Sequence, residues 1–143
     1  MVVSEDFNKA VDDLTTIDAR LAIVENGVIE STPVAINTSA TATVAQVASG
    51  WITSTSVGTV SITLPTATAL ATQLGAAAGD YFDFVVDNSA GANTITVIVG
   101  SGIVVTTPAL TGGATLTIST ANVIGQFRLF FTSATAAKLF RIA

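Results

Sequence analysis

From Thr32 onward, apolar and polar positions alternate with a period of two. The runs TATVAQVA (41–48), TVSITLP (59–65), DYFDFVVDN (80–88), NTITVIVG (93–100), GIVVTT (102–107), ATLTIS (114–119), GQFRLFFTS (125–133) and KLFRI (138–142) are short and rich in Val, Ile, Thr and Phe. Gly, Asn, Ser and Pro separate them. Such spacing predicts a mainly β domain, an antiparallel β-sandwich or jelly-roll-like fold. In VSITLP, Val60, Ile62 and Leu64 share one face and Ser61 and Thr63 the other; in YFDFVVD, Phe82, Phe84 and Val86 oppose Tyr81, Asp83, Val85 and Asp87. One stretch breaks the rhythm. PTATALATQLGAAAGD (65–80) has Thr66 as a cap, Leu70 and Leu74 four apart and Gly79 at its end, which predicts a short helix. DNSAGANT (87–94) reads as a hairpin loop and TPALTGGAT (107–115) as a longer connection. No internal repeat is evident.

The segment before Thr32 follows a different period. With Phe7 at heptad position a, Leu14 and Leu21 also fall at a, and Ala10, Ile17 and Val24 fall at d. Ser4, followed by Glu5 and Asp6, suits an N-cap with acids in the first turn, and Asn26-Gly27 suits a stop. The stripe fits an amphipathic helix lying on the β domain, and it also fits a coiled coil. Arg20 at g would face Glu25 at e of a neighbouring chain, and Leu at a with Ile at d favours three or four strands over two, whereas Asp13 would face Asp18 unfavourably. The expected organisation is therefore residues 1–30 as a helical oligomerisation or anchoring segment, suited to a trimeric coiled coil, and residues 31–143 as the β domain. Phe7, Ala10, Leu14, Ile17, Leu21 and Val24 are the expected oligomer interface.

Charge sharpens that division. The chain has 143 residues and a net charge of -5, with only 10% charged residues. Residues 1–30 hold Glu5, Asp6, Asp12, Asp13, Asp18, Glu25 and Glu30 against Lys9 and Arg20, so they carry the entire net charge; Ser31 to Gly79 holds none. With no cluster of Lys and Arg there is no footprint for a phosphate backbone, and nucleic acid is not an expected partner. A secretory signal and an 18-residue apolar span are both lacking, so synthesis in the cytoplasm without membrane insertion is expected. A membrane β-barrel is disfavoured by missing aromatic girdles and short strands.

Candidate chemistry is sparse. The chain contains no Cys and no His, which removes thiolate chemistry and the commonest general base. Along one strand Asp83 and Asp87 would lie about 13 Å apart, beyond the roughly 5–9.5 Å of a glycosidase pair. Ser or Thr with Lys138 is the only nucleophile arrangement left, and no local motif marks it. Gly100-Ser101-Gly102 lacks the third glycine and helix of a phosphate loop and reads as a turn. Asp87, Asn88 and Asn93 gather oxygens around one loop, but Asp and Asn are also ordinary turn residues. Trp51 suits either sugar stacking or burial in a core or interface. The expectation is a non-enzymatic protein with no catalytic, cofactor or metal residues.

Leu64-Pro65-Thr66, Gly79-Asp80, Phe82 through Asn88, Gly91 through Thr96 and Gly125 through Thr132 together resemble a β domain of tailed-bacteriophage virion structural proteins, of the capsid decoration (cement) and head-fibre type. The resemblance spans Val60 to Ala143. It implies a homotrimeric β-rich knob on a virion surface, with the major capsid protein or another virion component as partner. A tail-fibre module that recognises host glycans is the alternative it leaves.

Overall fold

The computed structural model describes residues 11, 31–106, 116–118 and 123–143. The chain divides after Ser31, and the heptad residues Phe7, Ala10, Leu14, Ile17, Leu21 and Val24 lie outside the described residues, as does the connection 107–115.

The second unit is mainly β, as the alternation predicts. In chain order its described elements are β1 (Val34–Ala35), β2 (Ala40–Thr41), α1 (Val44–Ala48), β3 (Trp51–Thr53), β4 (Val60–Thr63), α2 (Ala67–Leu74), β5 (Tyr81–Asp87), β6 (Ile95–Ile98), β7 (Ile103–Val105), β8 (Thr117–Ile118), β9 (Ile124–Ser133) and β10 (Ala136–Arg141). They form a six-stranded sheet in the order β1-β3-β5-β9-β10-β7 and a four-stranded sheet in the order β2-β4-β6-β8. A single cluster of buried residues, drawn from both sheets and α2, makes the core.

The sheets are mixed rather than purely antiparallel. Parallel ladders join β1 to β3, β3 to β5, β2 to β4, β4 to β6 and β7 to β10. Antiparallel ladders join β5 to β9, β9 to β10 and β6 to β8. The cause is that the chain changes sheet after every strand from β1 to β8. A strand regains its own sheet only after a full winding, and from β1 to β6 it then runs in the direction of its predecessor, whereas β8 returns antiparallel to β6. Strand, corner, strand, helix is the repeating rung, seen as β1-β2-α1 and again as β3-β4-α2. Among the described strands only β9 and β10 are consecutive in one sheet, and they form a hairpin inserted between β5 and β7.

Local chemistry explains the turns of this winding. The run 41–48, expected as a strand, places Val44–Ala48 in a helix instead. Its Thr43 Oγ1 accepts from the Gln46 N–H at 3.2 Å, and the Thr43 N–H donates to Gln46 Oε1 at 2.7 Å. That reciprocal capping box satisfies two N–H groups that an extended chain would leave to a ladder. The equivalent cap on α2 is Thr66, as predicted, accepting from the Ala69 N–H. The helix ends earlier than expected because Gly75, at φ 63°, closes it in the left-handed region, where a glycine carries no Cβ penalty. Ala67, Leu70 and Ala71 turn into the core.

The loop 87–94 is likewise not a hairpin. It carries the chain from β5 in the six-stranded sheet to β6 in the four-stranded one. Asn88 is buried at its base and donates from Nδ2 to the Asn93 carbonyl at 2.6 Å. The Ala92 N–H donates to the Ser56 carbonyl and Asn93 Nδ2 to the Val57 carbonyl. The Thr55 N–H in turn donates to Asn37 Oδ1 at 2.8 Å. Three successive corners are thereby stacked and their backbone polar groups paired with one another, which an edge-on winding of short strands requires. The Gly100–Gly102 stretch is the turn from β6 to β7. Among the described residues no helix is long and apolar enough to cross a membrane.

Candidate interaction surface

The alternation that fills the core also decides what the six-stranded sheet presents on its other side. On β9, Phe127, Leu129 and Phe131 are fully buried, and Phe127 stacks on Phe84 of β5 with ring centroids 5.3 Å apart. The intervening positions Gln126, Arg128 and Phe130 point outward. Across the ladders, Val104, Lys138, Phe130 and Tyr81 stand in one row, Phe140, Arg128 and Asp83 in the next, and Gln126, Val85 and Trp51 in a third. Tyr81 is 61% exposed, Val104 64% and Trp51 39%. Ile124 and Ile142 are also exposed. The winding thus gives an outer face that carries large apolar groups where an ordinary solvated face would carry Thr and Ser.

Every charge of residues 31–143 lies on or beside three adjacent strands of this sheet: Asp80, Asp83 and Asp87 at β5, Arg128 on β9, Lys138 and Arg141 on β10. Arg128 makes two hydrogen bonds to Asp83, Nε to Oδ1 and Nη2 to Oδ2, both 2.7 Å. Its guanidinium lies over the Tyr81 ring, 4.2 Å from the centroid. Those hydrogen bonds to Asp83, and the field of that carboxylate, hold the Arg128 pKa above its ordinary value against slight desolvation. Asp87 is held below the usual carboxylate range, chiefly by the Ser89 hydroxyl and the Ser89 N–H at 2.8 Å, with the Trp51 indole adding a smaller effect and burial opposing. Asp80 Oδ2 accepts from the Ala77 N–H at 2.8 Å, which closes the turn ahead of β5. Arg141 reaches the Thr117 carbonyl at 2.6 Å. The Lys138 ammonium forms no ion pair or hydrogen bond among the described residues.

Arg128, Phe130, Lys138, Phe140 and Ile142 line a shallow depression of about 440 Å³ on this face. A second, of about 360 Å³, lies between the end of α2 and β5, lined by Leu74, Ala76, Gly79, Asp80, Tyr81, Phe82 and Phe131. Neither brings Asp83 and Asp87 together. Asn88 and Asn93, candidate oxygen ligands in the sequence, spend their side chains on the corner, and among the described residues no group of three or more His, Cys, Asp or Glu side chains converges.

Of this surface Trp51 was singled out by the sequence, and Asp83, Asp87 and Lys138 were weighed only as candidate catalytic or ion-ligating groups. Tyr81, Arg128, Phe130, Phe140 and Ile142 were not, although the signal was present: in QFRLFF the alternation assigns Phe127, Leu129 and Phe131 inward, which leaves Phe130 as an aromatic at an outward position. No protein-family model matches the chain, and no curated protein or solved structure matches it either.

Proposed function

We propose that this chain is a non-enzymatic structural protein of a virion, a homotrimeric capsid decoration (cement) or head-fibre protein that binds the major capsid protein or another component of the shell. The observation that supports the reading best is the outer face of the six-stranded sheet, where Tyr81, Val104 and Trp51 stand exposed beside the Asp83–Arg128 pair and Lys138. Interface cores favour Tyr, Trp, Phe and Arg in this way. The heptad of residues 1–30 supplies the three-fold association. Sedimentation equilibrium of the full chain at micromolar concentration tests the oligomer, with a mass of three copies expected and a monomer refuting it. Immunogold labelling of purified particles of the virus that encodes the chain tests its place, with label on the head expected.

A second reading is a tail-fibre module that recognises host glycans. The exposed rings of Tyr81 and Trp51 on one face favour it, since aromatic faces stack on sugar rings. Label confined to the tail, together with hits on a glycan array, would replace the first reading with this one.

A further inference from the structure

We propose that the outer face of the six-stranded sheet is a self-association surface, on which a second copy of this chain packs face to face about a two-fold axis running along β9. The contact does not depend on the three-fold association proposed above, and it occupies the face that supports the shell-binding reading, so a copy paired in this way does not offer that face to a shell.

The charge layout selects both the partner and the axis. Acids occupy β5, and Lys138, which forms no ion pair among the described residues, occupies β10, with β9 midway between those two strands. An axis along β9 lays β10 of each copy over β5 of the other, so that Lys138 meets an acidic strand twice over. An axis across the strands would lay β10 on β10 and β5 on β5 and oppose like charges, which disfavours that register. Lys138 is level with Tyr81, and Asp83 lies two residues farther along β5, about 6.6 Å away at ~3.3 Å per residue, a step that a lysine stem spans while covering apolar surface. On the axis itself each copy presents β9 to β9. Arg128 leans away from it toward β5, held by Asp83 and the Tyr81 ring, which leaves Gln126 and Phe130 to meet their own counterparts.

Size is consistent with such a contact. Five strands from β3 to β7 at ~4.8 Å spacing span about 19 Å, and the seven-residue β5 is about 23 Å long, so two copies cover a projected footprint of roughly 900 Å². The accessible area of a pleated, aromatic face exceeds its footprint, which brings the pair to about the 1,000 Å² that a specific interface needs. An isologous contact of this size joins copies in pairs, and between trimers several would act together.

The chain has no cysteine, so one introduced thiol is unique. Gln126→Cys places it beside the axis on an exposed position; Ile98→Cys places it on the outside of the four-stranded sheet as a control. With a short bismaleimide, the full chain carrying Gln126→Cys should give a covalent dimer and that carrying Ile98→Cys only monomer. Adding Lys138→Glu to Gln126→Cys should reduce the dimer yield at least tenfold, and Lys138→Arg should leave it unchanged, with circular dichroism reporting that each variant is folded. No dimer from Gln126→Cys, equal yields from both thiols, or a yield indifferent to Lys138→Glu would each overturn the proposal. Because the readout is a cross-link at a chosen position and not total mass, its failure leaves the trimer measurement intact.

Discussion

Replacing Gly91 by alanine tests the corner that sends β6 into the second sheet. A Cβ at this position would lie 2.1 Å from Asn88 Oδ1 and 3.2 Å from both Asn88 Cγ and the Ser54 carbonyl oxygen. The Gly91 φ is outside the left-handed region, so space and not conformation excludes the side chain. Asn88 is 1% exposed and fixed by its bond to the Asn93 carbonyl, so it yields to the new methyl only by giving that bond up. Leaving a buried amide and carbonyl unpaired costs about 1–3 kcal/mol, and overpacking alone costs a similar amount. Gly91→Ala should therefore destabilise by about 2–3 kcal/mol, and Asn88→Ala by about 1–3 kcal/mol through the same lost bond. The double variant is the decisive one. With Asn88 shortened, the 2.1 Å contact is gone and only the Ser54 contact remains, so the pair should cost little more than Asn88→Ala alone, a coupling of about 1–3 kcal/mol. Urea unfolding followed by far-ultraviolet circular dichroism reads these values; at ~1–3 kcal/mol per molar urea, a 2 kcal/mol loss moves the midpoint by roughly 0.7–2 M. Additive costs in the double variant, or an unchanged midpoint for Gly91→Ala, would refute the reasoning.

Changing Leu14 and Leu21 together to Asp should reduce the sedimenting mass from three copies to one, since each would bury a charge in the heptad seam; an unchanged mass would show that this stripe is not the oligomer interface. Asp87 is held below its ordinary value, so the stability it contributes is present above the unfolded carboxylate pKa of about 3.9 and is lost as the pH falls through the lower folded value. Asp87→Asn should accordingly be less stable than the parent at pH 7 and converge on it by about pH 2, as read by melting temperature; a constant difference across that range would contradict the assignment. Thr43→Ala removes the hydroxyl half of the α1 capping box and should cost about 1 kcal/mol in the same urea assay, with Thr43→Ser close to neutral.

Much of this fold is legible in the sequence because period two is a local property. The alternation in VSITLP, YFDFVVD and QFRLFF assigns inward and outward residues that the burial of Val60, Ile62, Phe84, Val86, Phe127, Leu129 and Phe131 matches. Parallel pairing is not legible, because a strand of four residues carries the same pattern whichever way its neighbour runs, and the turn at Asn88–Thr94 has hairpin composition although it is a corner between sheets. The repeat escapes the eye for a related reason. Val34–Ala35 pairs with Ile52–Thr53 and Ala40–Thr41 with Ile62–Thr63, and each rung continues through a Thr cap into a helix and a glycine. The corners and helices between those equivalent points differ in length, so no fixed period survives. The capping box at Thr43 and Gln46 was the one local signal that could have converted a predicted strand into α1. Phe130 and Phe140 belong to the surface for a reason visible only after strand order is known: β9 and β10 are neighbours in the middle of the larger sheet.

The distribution of charge follows from this architecture and narrows what the β domain is built to do. Charges spread for solubility would appear on every exposed strand, with both signs interspersed. Here the rungs from β1 to β4 carry none, and the six charges after Gly79 fall on or beside β5, β9 and β10, the three strands that share long ladders. Three of those charges are already engaged within the fold: Asp80 closes a turn, Arg141 binds a carbonyl, and Asp87 binds Ser89. Asp83 and Arg128 neutralise each other while remaining 47% and 41% exposed, and Lys138 has no counterion among the described residues and stands beside three half-buried or exposed apolar groups. An ion pair in that setting adds little stability to the domain by itself. Its value lies in orientation, because a partner that covers the face must match an acidic strand, a neutral pair and a lone cation in that order, and a rotated or shifted approach leaves a carboxylate or the ammonium buried unpaired. A neutral Thr- and Ala-rich scaffold, which repels nothing, leaves the orientation of the proposed pairing to that one face.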